Sequence, residues 1–340
     1  MISRRWGLSL MLCLGLGFGA CSQQPTSVPE TSPTSTTIAT KPFSPSVTVT
    51  PKPSSPTPTL TLTPILTPST SPTLTFTPTP RLFPSTGSHG DHFIFTRPID
   101  TWVDFAYRYG TTHGGTRETH HGTDLLAECG TPVQAAGAGE VVIAGGDWQE
   151  VYGPYQSFYG NLVIIQHSKL ADDAPLFTLY GHLSTIAVDV GEVVSRGDVL
   201  GEVGFTGAAI GCHLHFEVRQ GENTYDSTRN PELWIVPHQE DRTFYGAIAG
   251  RLTGSTGYPI PDVRIEIQRL DDEGDVEHSF YTLTYADQSV NGDDLWHENF
   301  AVGDVEPGRY RVQFVVGGLQ KYELEVLPGQ LAFIEFDLDE

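Results

Sequence analysis

Two short stretches carry the groups with the most chemical potential, His120-His121-Gly122-Thr123-Asp124 and His213-Leu214-His215. Successive side chains of an extended strand alternate faces, so residues two and four apart point the same way. His120 and Asp124 then project from one face of a strand, and His213 and His215 from one face of another. Laid side by side, two such strands bring four groups to one point. Zinc accepts imidazole nitrogen and carboxylate oxygen, and catalytic zinc sites use three protein ligands and leave a fourth position for water. Four convergent groups are one more than that requires, which frees one to move a proton. A third segment, Leu179-Tyr180-Gly181-His182-Leu183, adds a histidine in an apolar, strand-like context. Imidazole titrates near the working pH, and a zinc ion acidifies water and polarises a carbonyl. The chemistry these groups support is metal-assisted hydrolysis of an amide or ester. A lone HxxxD or a lone HxH is more often accidental, or a hydrogen-bonded surface pair. The two together, both flanked by glycine and joined by a third histidine, favour the metal.

In chain order the sequence presents His120-x-Gly-x-Asp124, Gly130-Thr131-Pro132-Val133-x-Ala135-Ala136, Tyr159-Gly160-Asn161, Tyr180-Gly181-His182-Leu183, Gly204-x-Thr206-Gly207 and His213-Leu214-His215-Phe216-Glu217-Val218. This combination resembles the LytM/lysostaphin-type zinc metallopeptidases, which cut peptide bonds of bacterial peptidoglycan. The resemblance covers about residues 90–237. It implies a β-sheet groove with Zn2+ at its floor, held by His120, Asp124 and His215. It also implies a catalytic pair, His182 and His213, one acting on the attacking water and one stabilising the developing oxyanion; sequence does not fix which does which. Some relatives of this type have lost ligands and regulate other hydrolases, whereas all five positions are intact here.

Other polar residues are weaker candidates. His121 points to the face opposite His120 and Asp124, which suits a supporting or surface role. Arg117 and Asn161 are possible substrate contacts, and Asn161 equally fits a turn residue at positive φ. His113 lies in a glycine-rich segment expected to form a mobile rim loop. His167 is expected to pack near the site or cap a strand. His89, His92, His238, His278 and His297 lack spacing partners and are expected at the surface.

The chain begins with Arg4 and Arg5, then an apolar run from Leu8 to Phe18, shorter than the roughly 20 residues of a membrane span. The run ends Phe18-Gly19-Ala20-Cys21, which resembles a bacterial lipoprotein processing site, although Phe18 stands where Leu is usual. Residues 1–21 are thus expected to be a signal, with lipidated Cys21 tethering the mature chain to a membrane. Residues 22–88 are rich in Pro, Thr and Ser and cannot build a core. They are expected to form a disordered, semi-rigid spacer at about 3 Å per residue where extended. Of four cysteines, Cys129 and Cys212 remain for the folded part. In an oxidising compartment they can pair if the two ligand strands are neighbours. Free buried thiols are the alternative.

The net charge of −22 provides no basic footprint for nucleic acid. It favours solubility and argues against tight binding to anionic wall polymers. Residues 89–237 read as short strands punctuated by glycine, such as 139–144, 161–166 and 177–180, with no long helical periodicity. Residues 244–340 alternate strongly, with Val263, Ile265 and Ile267 on one face and Tyr310, Val312 and Phe314 on another, which suggests a β-sandwich. Their pattern resembles transthyretin-like or carboxypeptidase-regulatory-like modules and implies no catalysis. Asp293, Asp294 and Trp296 read as a loop beside a structural Trp. The fold class expected is all-β: a zinc-peptidase groove domain followed by a β-sandwich.

Two functional classes follow. One is a zinc endopeptidase acting on peptidoglycan peptides at the cell envelope. The other is a non-catalytic envelope protein that binds wall or regulates another hydrolase. Sequence leaves the bond cut and the oligomeric state open.

Overall fold

The computed structural model describes residues 93–167 and 174–337. The expected signal, Cys21, the linker, His89, His92 and the loop pair Asp172-Asp173 lie outside the described residues. Those described contain β-strands and two short 3₁₀ turns and no α-helix, as the lack of helical periodicity foretells.

The central sheet of the first half is antiparallel. Its strands run in the order Thr123–Leu126, His213–Gln220, Leu176–Leu183, Asn161–His167, Gly139–Gly146 and Val193–Val194, with Thr228–Arg229 also on His213–Gln220. The strand His213–Gln220 shows how sequence period becomes architecture. Leu214, Phe216 and Val218 enter the hydrophobic core, while His213, His215, Glu217 and Arg219 alternate onto the opposite face. That polar face is also buried, so its groups must satisfy one another. Cross-strand register places Asp124 opposite His215 and Leu126 opposite His213. The first ligand strand starts only at Thr123. His120 therefore lies on the loop leading into the strand, not within it, and its orientation is set by other contacts.

Gly122 permits this close approach. A Cβ there would sit 2.6 Å from the His215 ring and 2.7 Å from the Phe216 carbonyl oxygen. The strand Leu176–Leu183 carries an irregularity of a different kind. Val163 pairs with Tyr180 but Asn161 pairs with Leu183, so Gly181 and His182 bulge from the ladder. His182 adopts φ 63°, a left-handed conformation rare for non-glycine residues and frequent at functional sites. Bulges re-aim side chains next to active sites, and this one turns His182 toward His213 and His215, whose ring centroids lie 4.8 and 5.6 Å away.

The second half forms two facing sheets, as expected from its alternation. One has the order Phe300–Val305, Gly246–Thr253, Leu331–Asp337; the other has Val276–Leu283, Arg264–Leu270, Gly308–Val315, Leu319–Val326. Ile248, Leu252, Ile265, Ile267, Tyr310, Val312 and Phe314 fill the space between them. The opposite face of the three-stranded sheet, with Ala247, Ala249, Ala301 and Leu331, belongs to the same hydrophobic core as Leu214 and Phe216. One core therefore runs from the central sheet of the first half into the sandwich.

Cys129 and Cys212 are joined, with Cα atoms 5.3 Å apart at a sequence separation of 83. The bridge ties the segment after Asp124 to the residue before His213. Disulfides typically stabilise by roughly 2–4 kcal/mol, and chain-entropy arguments put a loop this long just above that range, at about 4.5 kcal/mol. The paired Cys129→Ser/Cys212→Ser variant is expected to melt several degrees lower by calorimetry, and the unreduced parent to yield no alkylatable thiol from this pair. An unchanged melting temperature would show that packing alone holds the two segments.

Candidate metal centre

Three donor atoms form a tight triangle. His215 Nδ1 lies 3.1 Å from Asp124 Oδ1, His120 Nε2 lies 3.2 Å from His215 Nδ1, and His120 Nε2 lies 3.3 Å from Asp124 Oδ1. All three residues are buried. The second nitrogen of each ring has its own acceptor. His120 Nδ1 donates to the Tyr107 carbonyl at 2.7 Å, and its ring stacks on Tyr107 at 4.0 Å with planes 2° apart. His215 Nε2 donates to Glu217 Oε1 at 3.0 Å. These contacts fix both tautomers, leaving His120 Nε2 and His215 Nδ1 turned toward the carboxylate.

Two lone-pair nitrogens and a carboxylate oxygen this close repel unless a cation lies among them. A proton on His215 Nδ1 can serve, and so can zinc, whose preferred donors these are. The electrostatics agree. Burial works against charging His215, but hydrogen bonds to Asp124 and Glu217 outweigh it and lift the imidazole to about 9. Burial likewise opposes the Asp124 charge, yet His120 and His215 hold its carboxyl well below the usual carboxylate range. The donor set therefore fits zinc, consistent with the His120, Asp124 and His215 ligands expected from sequence.

His182 and His213 face the same space. His182 Nδ1 donates to the carbonyls of Thr206 (2.9 Å) and Tyr159 (3.2 Å). Burial, followed by the neighbouring His215 and His213, pushes its imidazole down to about 3. His213 Nδ1 donates to the Gly211 carbonyl at 3.1 Å; its Nε2 lies 3.7 Å from Asp124 Oδ2, and burial lowers its pKa as well. Both rings are neutral near pH 7, with Nε2 unprotonated. A groove of about 490 Å³ runs past these groups, walled by Tyr107, Arg117, Tyr155, Phe158, Ile210 and Tyr225.

Behind His215 lies a layer whose role the sequence reading did not assign. Glu217 is fully buried and accepts from His215, from Arg219 Nε at 2.7 Å and from the Tyr159 hydroxyl. Burial opposes its charge, but Arg219 and then the His215 hydrogen bond hold the carboxyl down to about 2. Arg219 Nη2 donates to the Tyr159 hydroxyl oxygen and to the Tyr152 carbonyl, both at 3.0 Å. The signal was present: 213, 215, 217 and 219 share a face by strand period.

The weaker candidates divide. Arg117 lines the groove with its guanidinium 4.9 Å over the Tyr107 ring. Asn161 is absent from the groove wall and has no positive φ; that role falls to Gly160. Asn161 Nδ2 instead donates to the Leu183 carbonyl, pinning the bulge. His121 is buried on the far side, stacked on Tyr225 at 3.7 Å. His167 ends its strand, bonded to the Ala138 carbonyl and Thr178. His113, His278 and His297 are exposed, as expected. His238 is not: it is buried, its ring 4.2 Å from Trp102 and its backbone N–H bonded to Asp304. Asp293 receives the Leu295 N–H within a loop.

A buried His-Asp-His donor set, two members on an antiparallel sheet and one on the loop leading into it, has the donors of a zinc centre, with two neutral imidazoles beside it along a groove. Residues 118–227 match peptidase family M23, and the chain carries an M23 domain of the LytM/lysostaphin type. Among curated relatives, an uncharacterised lipoprotein of Escherichia coli, YgeR, is 36% identical over 121 residues, 36% of this chain and 41% of the relative. The peptidoglycan DD-endopeptidase ShyC of Vibrio cholerae is 39% identical over 103 residues, 30% of this chain and 21% of the relative. The chain thus spans well under two thirds of either relative. The lysostaphin catalytic domain of Staphylococcus simulans aligns structurally over 38% of this chain and 89% of its own, with 28% identity and a TM-score of 0.31.

Two outcomes are expected. Zinc must displace the proton that His215 holds below about pH 9, so binding at pH 7 releases about one proton. The apparent affinity then rises about tenfold per pH unit and levels off near 9. Calorimetry in buffers of different ionisation enthalpy measures this, and an affinity flat from pH 6 to 9 would contradict it. Glu217→Gln is expected to lower zinc affinity by roughly 10–100-fold, measured by competition with a chromophoric chelator.

Proposed function

We propose that this protein is a zinc-dependent endopeptidase that hydrolyses peptide bonds of bacterial peptidoglycan at the cell envelope. His120 Nε2, Asp124 Oδ1 and His215 Nδ1 would hold the ion, and of His182 and His213 one would act on the attacking water while the other faces the developing oxyanion. When bound, zinc supplies a Lewis acid for the scissile carbonyl and for the attacking water. The chain's own residues do the rest. The Nε2 atom of one of the two, His182 or His213, would accept the proton of the attacking water and return it to the departing amine. In between, the imidazolium so formed faces the negative charge developing on the carbonyl oxygen. Carbonyl acceptors on both Nδ1 atoms keep the rings in the required tautomer. The groove walls of Tyr107, Phe158 and Tyr225 suit an extended peptide of small residues.

The observation that carries this reading is the complete donor triangle with two neutral imidazoles on its open side. A protein that only bound wall polymer or regulated another hydrolase would need neither. The peptidoglycan substrate is supported by the M23 match and by the activity named for the Vibrio relative. A lipidated Cys21 is supported by the processing motif and by the lipoprotein named among relatives. With a signal at 1–21, a spacer at 22–88, a peptidase at 89–237 and a sandwich at 244–340, the enzyme would be tethered to its membrane and reach into the wall.

Purified protein is expected to release muropeptides, identified by mass, in a chelator-sensitive manner that His215→Ala abolishes. His182→Ala is expected to keep one zinc per chain while kcat falls by roughly 10²–10⁴-fold. Loss of zinc in His182→Ala would make that residue a ligand; full activity in a metal-free His215→Ala chain would refute the proposal.

A further inference from the structure

The sandwich sends one long connection toward the metal centre. Residues 284–299, between the strands Val276–Leu283 and Phe300–Val305, cross to the loop that carries His120. Ala286 N–H donates to the Gly110 carbonyl at 2.8 Å, and Gly110 N–H donates to the His120 carbonyl at 2.7 Å. Asp287 Oδ2 accepts the Thr119 hydroxyl at 2.6 Å. Ser289 Oγ meets His121 Nε2 at 3.3 Å. The connection thus grips the residues on both sides of a metal ligand that, unlike Asp124 and His215, has no strand ladder to hold it.

The same connection holds the opposite groove wall. Asn291 Nδ2 donates to the Asp226 carbonyl at 2.7 Å, next to Tyr225, which stacks on His121. Tyr285 is buried against Gly110, where a Cβ would lie 2.2 Å from its ring. Its hydroxyl receives the Asn230 amide at 3.1 Å and donates to buried Glu298 at 2.8 Å. Asp287 itself is preset, its Oδ1 receiving the Ser289 N–H at 2.8 Å.

We infer that the 284–299 connection of the sandwich is a strap that orders the His120 loop for metal binding, with Asp287 as its positioning residue. The sandwich is then part of the peptidase machinery and not an appended module. The inference rests on the zinc reading above, and its tests separate the two. Neither Asp287 nor the sandwich touches the reacting atoms; the effect travels from Asp287 through Thr119 to His120. The energetic logic is that of outer-layer residues that orient a ligand, whose removal weakens metal binding on the order of tenfold or more.

The test uses the full chain. In metal-free protein, Asp287→Ala is expected to speed amide exchange at residues 110–121 severalfold while leaving the sandwich strands protected. In zinc competition it is expected to lose affinity on the order of tenfold. Asp287→Asn keeps an acceptor for Thr119 and is expected to restore most of that loss. Thr119→Val removes the same bond from the other side and is expected to match Asp287→Ala, with the double variant no worse than either single one. Asp294→Ala is the control: Asp294 lies in the same connection but pairs with Arg229. Unchanged exchange and affinity in Asp287→Ala, equal losses in Asp294→Ala, or additive losses in the double variant would each overturn the strap. If the parent protein binds no zinc, the functional reading falls, and the exchange measurement still decides the strap.

Discussion

The structure turns on one buried electrostatic chain, running from the Asp124 carboxylate through the His215 ring to Glu217 and on to Arg219. Each member is removed from water, and each is tolerable only because the next is there. Arg219 compensates Glu217, Glu217 fixes the His215 tautomer, and His215 with His120 compensates Asp124. A sheet normally buries an apolar face and leaves the other to solvent. Here the strand His213–Gln220 is buried on both faces, and the cost of its polar face is met by this chain of mutually bonded groups.

That constraint explains features that look unrelated. Gly122 is small because the His215 ring occupies the space of a side chain there. The Leu176–Leu183 strand breaks its ladder at Gly181-His182 so that a second neutral imidazole can face the ligands. The disulfide and the strap stand at the two ends of the first ligand segment. One secures the residues after Asp124 and the other secures the residues before His120. Sites held within a fraction of an ångström need such support from outside their ligands.

Much of this was legible in the residues because strand period is simple. Spacing of two placed His213 and His215 on one face, and the alternation of Ile265, Ile267, Val312 and Phe314 foretold a sandwich core. The same period points to Glu217 and Arg219, but period cannot say that a face is buried, so their part in the site emerged only with tertiary packing. The four-residue spacing of His120 from Asp124 fits a strand, but hydrogen bonds to Tyr107 and Gly110, earlier in the same loop segment, hold His120 outside the ladder. His238 shows the converse. It lacks spacing partners, yet a contact with Trp102 buries it. The strap was invisible for a related reason: a loop of Asp, Ser and Asn carries no pattern that names the segment it will grip.

The proposed division of labour gives His120, Asp124 and His215 to the ion and leaves the imidazoles of His182 and His213 free. X-ray absorption at the zinc edge of the metal-loaded full-length protein tests this most directly. The prediction is a nitrogen and oxygen shell at about 2.0–2.1 Å containing two imidazoles and no sulfur, unchanged in His182→Ala. Three or four imidazoles on the metal, or a shell that loses one in His182→Ala, would contradict it.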